Sequence, residues 1–153
     1  MTESLISMAY VSRNMINGDF PAVVAEIVSA ANVRNAARGI TGALVCSQGY
    51  FAQVLEGDSD KLDDLFERIV RDPRHSEVQV LFSKPIAQRS FGGWGMASAG
   101  VVEDDTLIAA IHEVLQGEAT VAAHDAAGEK TVALLGQLLR ERSQFDRYGA
   151  AAE

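Results

Sequence analysis

Two apolar stretches, Thr41 to Ser47 and Tyr50 to Glu56, have only Gln48-Gly49 between them. A two-residue connection leaves room for nothing but a tight hairpin, so the two stretches read as antiparallel strands of one sheet. What flanks the hairpin then limits the fold. Upstream, Leu5 to Val11 is a short apolar run with Ile6, Met8 and Tyr10 on one face and Leu5, Ala9 and Val11 on the other, the pattern of a central strand. Asp19 is placed to cap a helix with Pro21 in its first turn, where Val23, Val24, Ile27, Val28 and Ala31 recur at helical spacing. That helix is expected to stop around Asn32 to Asn35. Downstream, Asp58 or Ser59 caps a second helix striped with Leu62, Leu65, Phe66, Ile69 and Val70, and Asp72-Pro73 ends it. Val78, Val80 and Phe82 alternate as a fourth strand, and the glycine-rich run Phe91 to Met96 leads into a fifth near Ala97 to Val101.

The order β-α-β-β-α-β predicts an α+β, ferredoxin-like sheet, in which right-handed crossovers put both helices on one face. The other face is left bare. After Val101 the pattern is helical only, with Leu107, Ile108, Ile111, Val114 and Leu115 in one amphipathic stretch and Val132, Leu135, Leu138 and Leu139 in another. Either can cap the open face or bind a partner subunit. The expected division is a sheet unit over 1–101 and a C-terminal helical cap or interaction segment over 102–153. Gly117 to Gly128, rich in small and polar residues, reads as a mobile linker.

Composition narrows the function classes. With 48% hydrophobic residues, 153 residues can bury a core. The 21 acidic against 13 basic residues give a net charge of -8, which opposes binding to a phosphate backbone, so no direct nucleic-acid partner is expected. The single cysteine, Cys46, fits a reducing compartment and reads as a small buried hydrophobe. Met1-Thr2-Glu3-Ser4 lacks the basic start of a signal peptide, and no apolar run is long enough to span a bilayer. A cytoplasmic protein away from the membrane is expected. His75, His112 and His124 have no metal-ligand spacing and read as surface residues. Gly39-Ile40-Thr41-Gly42 is a turn rather than a dinucleotide fingerprint, and no pairing suited to covalent catalysis is present.

Some residues do not behave as plain core. Strand alternation puts Gln53 on the face of Phe51 and Leu55, where a buried amide needs hydrogen-bond partners from the protein or from a polar ligand. Tyr10 shares the apolar face of Ile6 and Met8, and its hydroxyl also needs a partner. In this topology the first strand lies beside a strand of the hairpin, so Tyr10 and Gln53 can meet. Asn35 serves either as a helix C-cap or turn residue, or as a polar group facing a ligand between the helices. Trp94 and Met96, flanked by glycines, either plug the edge of the core or ride on a segment that swings.

These residues carry a family resemblance. Tyr10-Val11-Ser12, Asn35 to Gly42, Phe51 to Gly57, Arg68 to His75 and Trp94-Gly95-Met96 resemble, in order, the BLUF domain, a blue-light sensor that uses FAD. The likeness covers about residues 4 to 100, and the last fifty residues resemble the helical cap of short, single-domain BLUF proteins. It implies a flavin ring between the two helices, over the sheet face that holds Tyr10. Tyr10 would give an electron and a proton to the excited flavin, Gln53 would bridge Tyr10 to the ring, and Asn35 would hold another hydrogen-bonding edge. Ile27, Phe51 and Ile69 match positions that pack on the ring. Arg68 and Asp72 match polar positions near the ribityl chain, and Trp94 and Met96 match a segment that responds to light. Arg34 stands where relatives often have Asn or His.

The resemblance implies a photoreceptor rather than an enzyme. Since nothing after Val101 resembles a cyclase or phosphodiesterase, its output would be a conformation read by a separate downstream protein or by altered self-association in a homo-oligomer. The rival reading is a light-insensitive ligand-binding regulator or small enzyme on the same fold.

Overall fold

The computed structural model describes residues 5–93, 95–101, 105–117 and 120–152, with the side chains of 99–101 and 141–152 excepted. Five strands, β1 (Leu5–Asn14), β2 (Thr41–Cys46), β3 (Tyr50–Asp58), β4 (His75–Pro85) and β5 (Ala97–Val101), form one sheet in the order β4-β1-β3-β2-β5. The first four strands run antiparallel to their neighbours in the ferredoxin-like order, and β5 adds to the outside of β2 in parallel. The sheet is therefore mixed. Helices α1 (Phe20–Arg38) and α2 (Ser59–Val70) follow β1 and β3, while α3 (Asp105–Leu115) and α4 (Val121–Ala152) follow the last strand.

Two buried clusters, one on each face of the sheet, show why the alternation in β1 to β3 has apolar residues on both sides. Met8, Tyr10, Leu44, Phe51 and Leu55 pack under α1 and α2 with Val24, Ala31, Leu62 and Leu65. Ala9, Val11, Ala43, Val45 and Val54 pack under α3 and α4 with Leu107, Ile111, Val114, Leu135 and Leu139. The C-terminal helices thus cover the face that the crossover rule leaves bare. Leu135 has no exposed surface, and a Leu side chain moved fully out of water contributes about 1.5–3 kcal/mol. Gly128 permits the close seating of α4, because a Cβ there would stand 2.4 Å from the Phe82 ring.

Local chemistry sets the ends of the elements. Asp19 caps α1 through Ala22 N, and Asp58 caps α2 through Asp60 N. Helix α1 runs to Arg38, beyond the expected stop at Asn32 to Asn35. The chain leaves it at Gly39, whose left-handed φ of 69° lets its N–H reach back to the α1 carbonyls. The expected linker from Gly117 to Gly128 is also largely helix. Thr120 Oγ1 accepts from Ala123 N at 3.1 Å and caps α4, and the alanines of its first turns favour helix over coil.

Strand β4 departs from simple alternation. Ala9 pairs with Phe82 and Tyr10 with Val80, which leaves Leu81 as an extra residue. Leu81 and Phe82 consequently both join the cluster under α3 and α4, Val78 packs on the opposite side, and Val80 is exposed. Val78, Val80 and Phe82 therefore do not share one face. A second irregularity lies where Glu77 takes φ 52°, a left-handed value that costs a residue with a Cβ about 1 kcal/mol. Glu77 ion-pairs with Arg13 of β1.

Candidate functional site

Between α1, α2 and the sheet lies an open cavity of about 630 Å³ including its mouth. Its walls are apolar, with Ile27 and Ala31 from α1, Leu65 and Ile69 from α2, and Leu44 and Phe51 from the sheet floor. The floor also carries Tyr10 and Gln53, which face each other across β1 and β3 in register. Arg34, Asn35, Asp72, Arg74 and His75 add charge and polarity to the lining, and Met96 completes it.

The buried polar groups form a directed chain. Tyr10 donates its hydroxyl hydrogen to Gln53 Oε1, and Gln53 Nε2 donates to Met96 Sδ at 3.3 Å. The chemistry fixes that direction. A thioether sulfur has no hydrogen to give, so the amide turns its NH2 toward Met96 and its oxygen toward the phenol. Burial pushes the Tyr10 phenol well above its ordinary pKa of 10.0, and the Asp72 carboxylate pushes it further in the same direction. Tyr10 therefore holds its proton and remains the donor.

Met96 owes its position to α1. Asn32 Nδ2 donates to the Met96 carbonyl at 2.8 Å, Met96 N donates back to Asn32 Oδ1 at 2.7 Å, and Asn35 Nδ2 donates to the Gly95 carbonyl at 2.8 Å. Asn35 is buried, so its side chain faces this segment and the cavity rather than solvent. Gly95 is needed here, because a Cβ would lie 2.6 Å from the Asn32 carbonyl oxygen. Met96 is buried with its sulfur inward. Trp94 lies outside the described residues.

His75 is the correction among the histidines. Its Nε2 donates to the Ile69 carbonyl at 2.5 Å, its Nδ1 pairs with the Ser12 hydroxyl at 2.8 Å, and its ring meets Tyr10 and Phe51 edge-on. It is a cavity-wall residue. His112, by contrast, is exposed, pairing with Tyr50 through Nδ1 at 2.9 Å. At the rim, Arg74 grips Asp72 through side-chain and backbone N–H groups and holds that carboxyl below its ordinary range. Arg68 is exposed and does not line the cavity, whereas Arg74 does. Ala31, Leu44, Leu65, Arg74 and His75 line the cavity although the sequence did not mark them as site residues; Arg74 and His75 lie within the family motif without an assigned role. For Leu44 and Leu65 the signal was the same apolar periodicity that marks any core residue.

A second polar cluster supports the segment that carries Met96. The Glu56 carboxylate, 1% exposed, accepts from Ser90 N at 2.7 Å, Phe91 N at 3.0 Å and Thr41 Oγ1 at 2.9 Å. Arg89 adds bonds to the Glu56 and Gly39 carbonyls at 3.0 and 2.8 Å. Among the described residues, no group of three or more His, Cys, Asp or Glu is arranged to hold a metal, and no helix is long and apolar enough to cross a membrane.

Apolar walls facing one another, hydrogen-bonding groups on the floor and guanidinium groups at the rim suit a flat aromatic ring with a polar edge and an anionic tail. That donor set fits a flavin nucleotide. The chain belongs to the BLUF family, described as sensors of blue light using FAD, whose family model matches residues 5–97. Among curated relatives, the beta subunit of a photoactivated adenylate cyclase from Euglena gracilis is 41% identical over 76 residues, 50% of this chain and 9% of that protein. The blue light- and temperature-regulated antirepressor BluF of Escherichia coli is 35% identical over 85 residues, 55% of this chain and 21% of the relative. The chain thus spans under a quarter of either protein. Among solved structures, the dark state of the BLUF protein BlrB matches 91% of this chain and 97% of its own, with a TM-score of 0.65 and 32% identity. BlrP1 of Klebsiella pneumoniae, in a structure with FMN and cyclic diGMP, matches 61% of this chain and 25% of its own, at TM-score 0.57 and 36% identity.

Proposed function

We propose that this protein is a cytoplasmic, non-enzymatic photoreceptor that holds FAD in the cavity between α1 and α2 and signals blue light by a change of conformation. The observation that carries this reading is the buried chain from Tyr10 through Gln53 to Met96, laid along the floor of that cavity. Residues 1–101 act as the flavin-binding unit, and 102–153 act as the cap and interaction segment. Ile27, Phe51 and Ile69 pack on the ring, Asn35 and Gln53 hold its polar edges, and Arg34, Arg74 and Asp72 meet the polar tail. Trp94 completes the set by family likeness, and Arg74 takes the place that the likeness gave to Arg68.

Bound flavin supplies the blue absorption and, when excited, a strong one-electron oxidant. Tyr10, on the cavity floor, would be the residue placed to give that electron; its hydroxyl proton, directed at Gln53 Oε1, would leave with the electron and return with it, so that no net oxidation results. The amide then rotates or changes tautomer without moving the backbone. With Met96 against it, a rotated amide sets its oxygen beside a sulfur that cannot donate, so the original pairing is regained thermally. A difference of one net hydrogen bond, about 1 kcal/mol, shifts a two-state output about fivefold. That magnitude suits a graded signal, passed to a separate downstream protein or expressed as altered self-association.

The test is spectroscopic. Protein purified in darkness should be yellow, release FAD rather than FMN on denaturation, and shift its flavin absorption reversibly to the red under blue light. A colourless protein that takes up no FAD would sink the proposal.

A further inference from the structure

We infer that Asn32, a residue that does not line the cavity, is a positioning residue that sets the lifetime of the lit state by fixing the Met96 sulfur against Gln53. The inference rests on the photoreceptor reading and adds a component to it. Asn32 and Met96 make a reciprocal pair of hydrogen bonds, 2.8 Å from side chain to carbonyl and 2.7 Å from N–H to side chain. The side-chain amide of Asn32 thus pairs with the Met96 backbone as a neighbouring strand would. Gly95 allows the close approach, since any Cβ would strike the Asn32 carbonyl oxygen at 2.6 Å.

This latch acts just before β5, whose ladder to β2 begins only at Ala97. The Met96 backbone is therefore held by α1 rather than by the sheet. With the latch closed, Sδ sits 3.3 Å from Gln53 Nε2 and rewards only the amide orientation that presents its NH2. With the latch open, Met96 is free to withdraw. A rotated amide then no longer faces an acceptor-only sulfur, and its return loses that driving force.

Asn32→Ala should bind flavin and show the red shift but recover in the dark about fivefold more slowly than wild type, the change commanded by one net hydrogen bond. Asn32→Asp, which keeps the acceptor for Met96 N but not the donor to its carbonyl, should fall between them. Val33→Ala, one residue along and 74% exposed, should recover as wild type does. In darkness, a methyl-labelled methionine NMR spectrum should show the Met96 resonance displaced in Asn32→Ala and in place in Val33→Ala. Unchanged recovery with an unmoved Met96 resonance would overturn the inference, as would a displaced resonance with recovery within twofold of wild type. Absence of any red shift in wild type would defeat the photoreceptor reading, and the dark methyl spectrum would still decide whether the latch holds Met96.

Discussion

Replacing Gln53 by Leu isolates the central hydrogen bond. Leucine has similar volume and makes no cavity, so the main loss is the acceptor for the Tyr10 hydroxyl, on a side chain only 4% exposed. A buried hydroxyl stranded in this way costs about 1–3 kcal/mol. For a domain of this size that lowers Tm by roughly 2–12 °C. Tyr10→Phe should cost a similar amount, because it strands the Gln53 oxygen instead. In the double variant neither partner remains to be left unsatisfied, and its stability should return to within about 1 kcal/mol of wild type. Urea unfolding of the four flavin-free proteins, followed by circular dichroism, completes the cycle. Each variant loaded with flavin is then illuminated, and each should keep its colour and lose the red shift. If the two single losses simply add in the double variant, or if Gln53→Leu retains the wild-type light-minus-dark spectrum, the pairing has been misassigned.

Three further expectations follow from other parts of the molecule. Because burial and Asp72 raise the Tyr10 pKa above 10.0, the folded protein keeps this proton where an unfolded chain loses it, so its contribution to stability is full below about pH 10 and declines above. Wild type and Tyr10→Phe should show equal tyrosinate absorption at about pH 11 while folded, and an excess in wild type would contradict the assignment. Glu56→Ala removes the acceptor of two backbone N–H groups and should cost about 2–5 kcal/mol, with faster amide exchange at Ser90 and Phe91. Glu56→Gln, which keeps an oxygen for one of them, should cost less. Gly128→Ala gains about 1 kcal/mol of helix propensity but drives a methyl into the Phe82 ring, so net destabilisation of about 1–2 kcal/mol is expected, relieved by Phe82→Leu.

The fold was legible because one short turn dictates so much. Once Gln48-Gly49 forces a hairpin, the flanking strand–helix pattern has few right-handed solutions, and β1 beside β3 is among their consequences. Tyr10 and Gln53 were legible through alternation, as polar residues on faces that must be apolar. The grip of Asn32 on Met96 was not, since it joins residues 64 apart through a glycine that leaves no periodic trace. His75 escaped for a related reason. Its surroundings depend on how α2 ends and on the register of β4, and strand propensity does not encode the break in that register at Glu77. The ends of α1 and α4 were misplaced because Asn, Ala and Gly serve turns and helices alike until a cap decides between them. The family motif supplied the aromatic, amide and polar set around the cavity, and it said nothing of the α1 latch.

The left-handed turn of the backbone at Glu77 has a consequence for how copies of this chain meet. Strand β4 forms one margin of the sheet, and a straight margin invites a second copy to add its own strand, the first step toward cross-β growth. The kink interrupts that template, and farther along β4 Lys84 and Pro85 interrupt it again, the lysine tied to Glu129 and Asp125 of α4. Along this margin, self-recognition by sheet extension is discouraged at both ends. One route to irreversible aggregation is thereby hindered along β4.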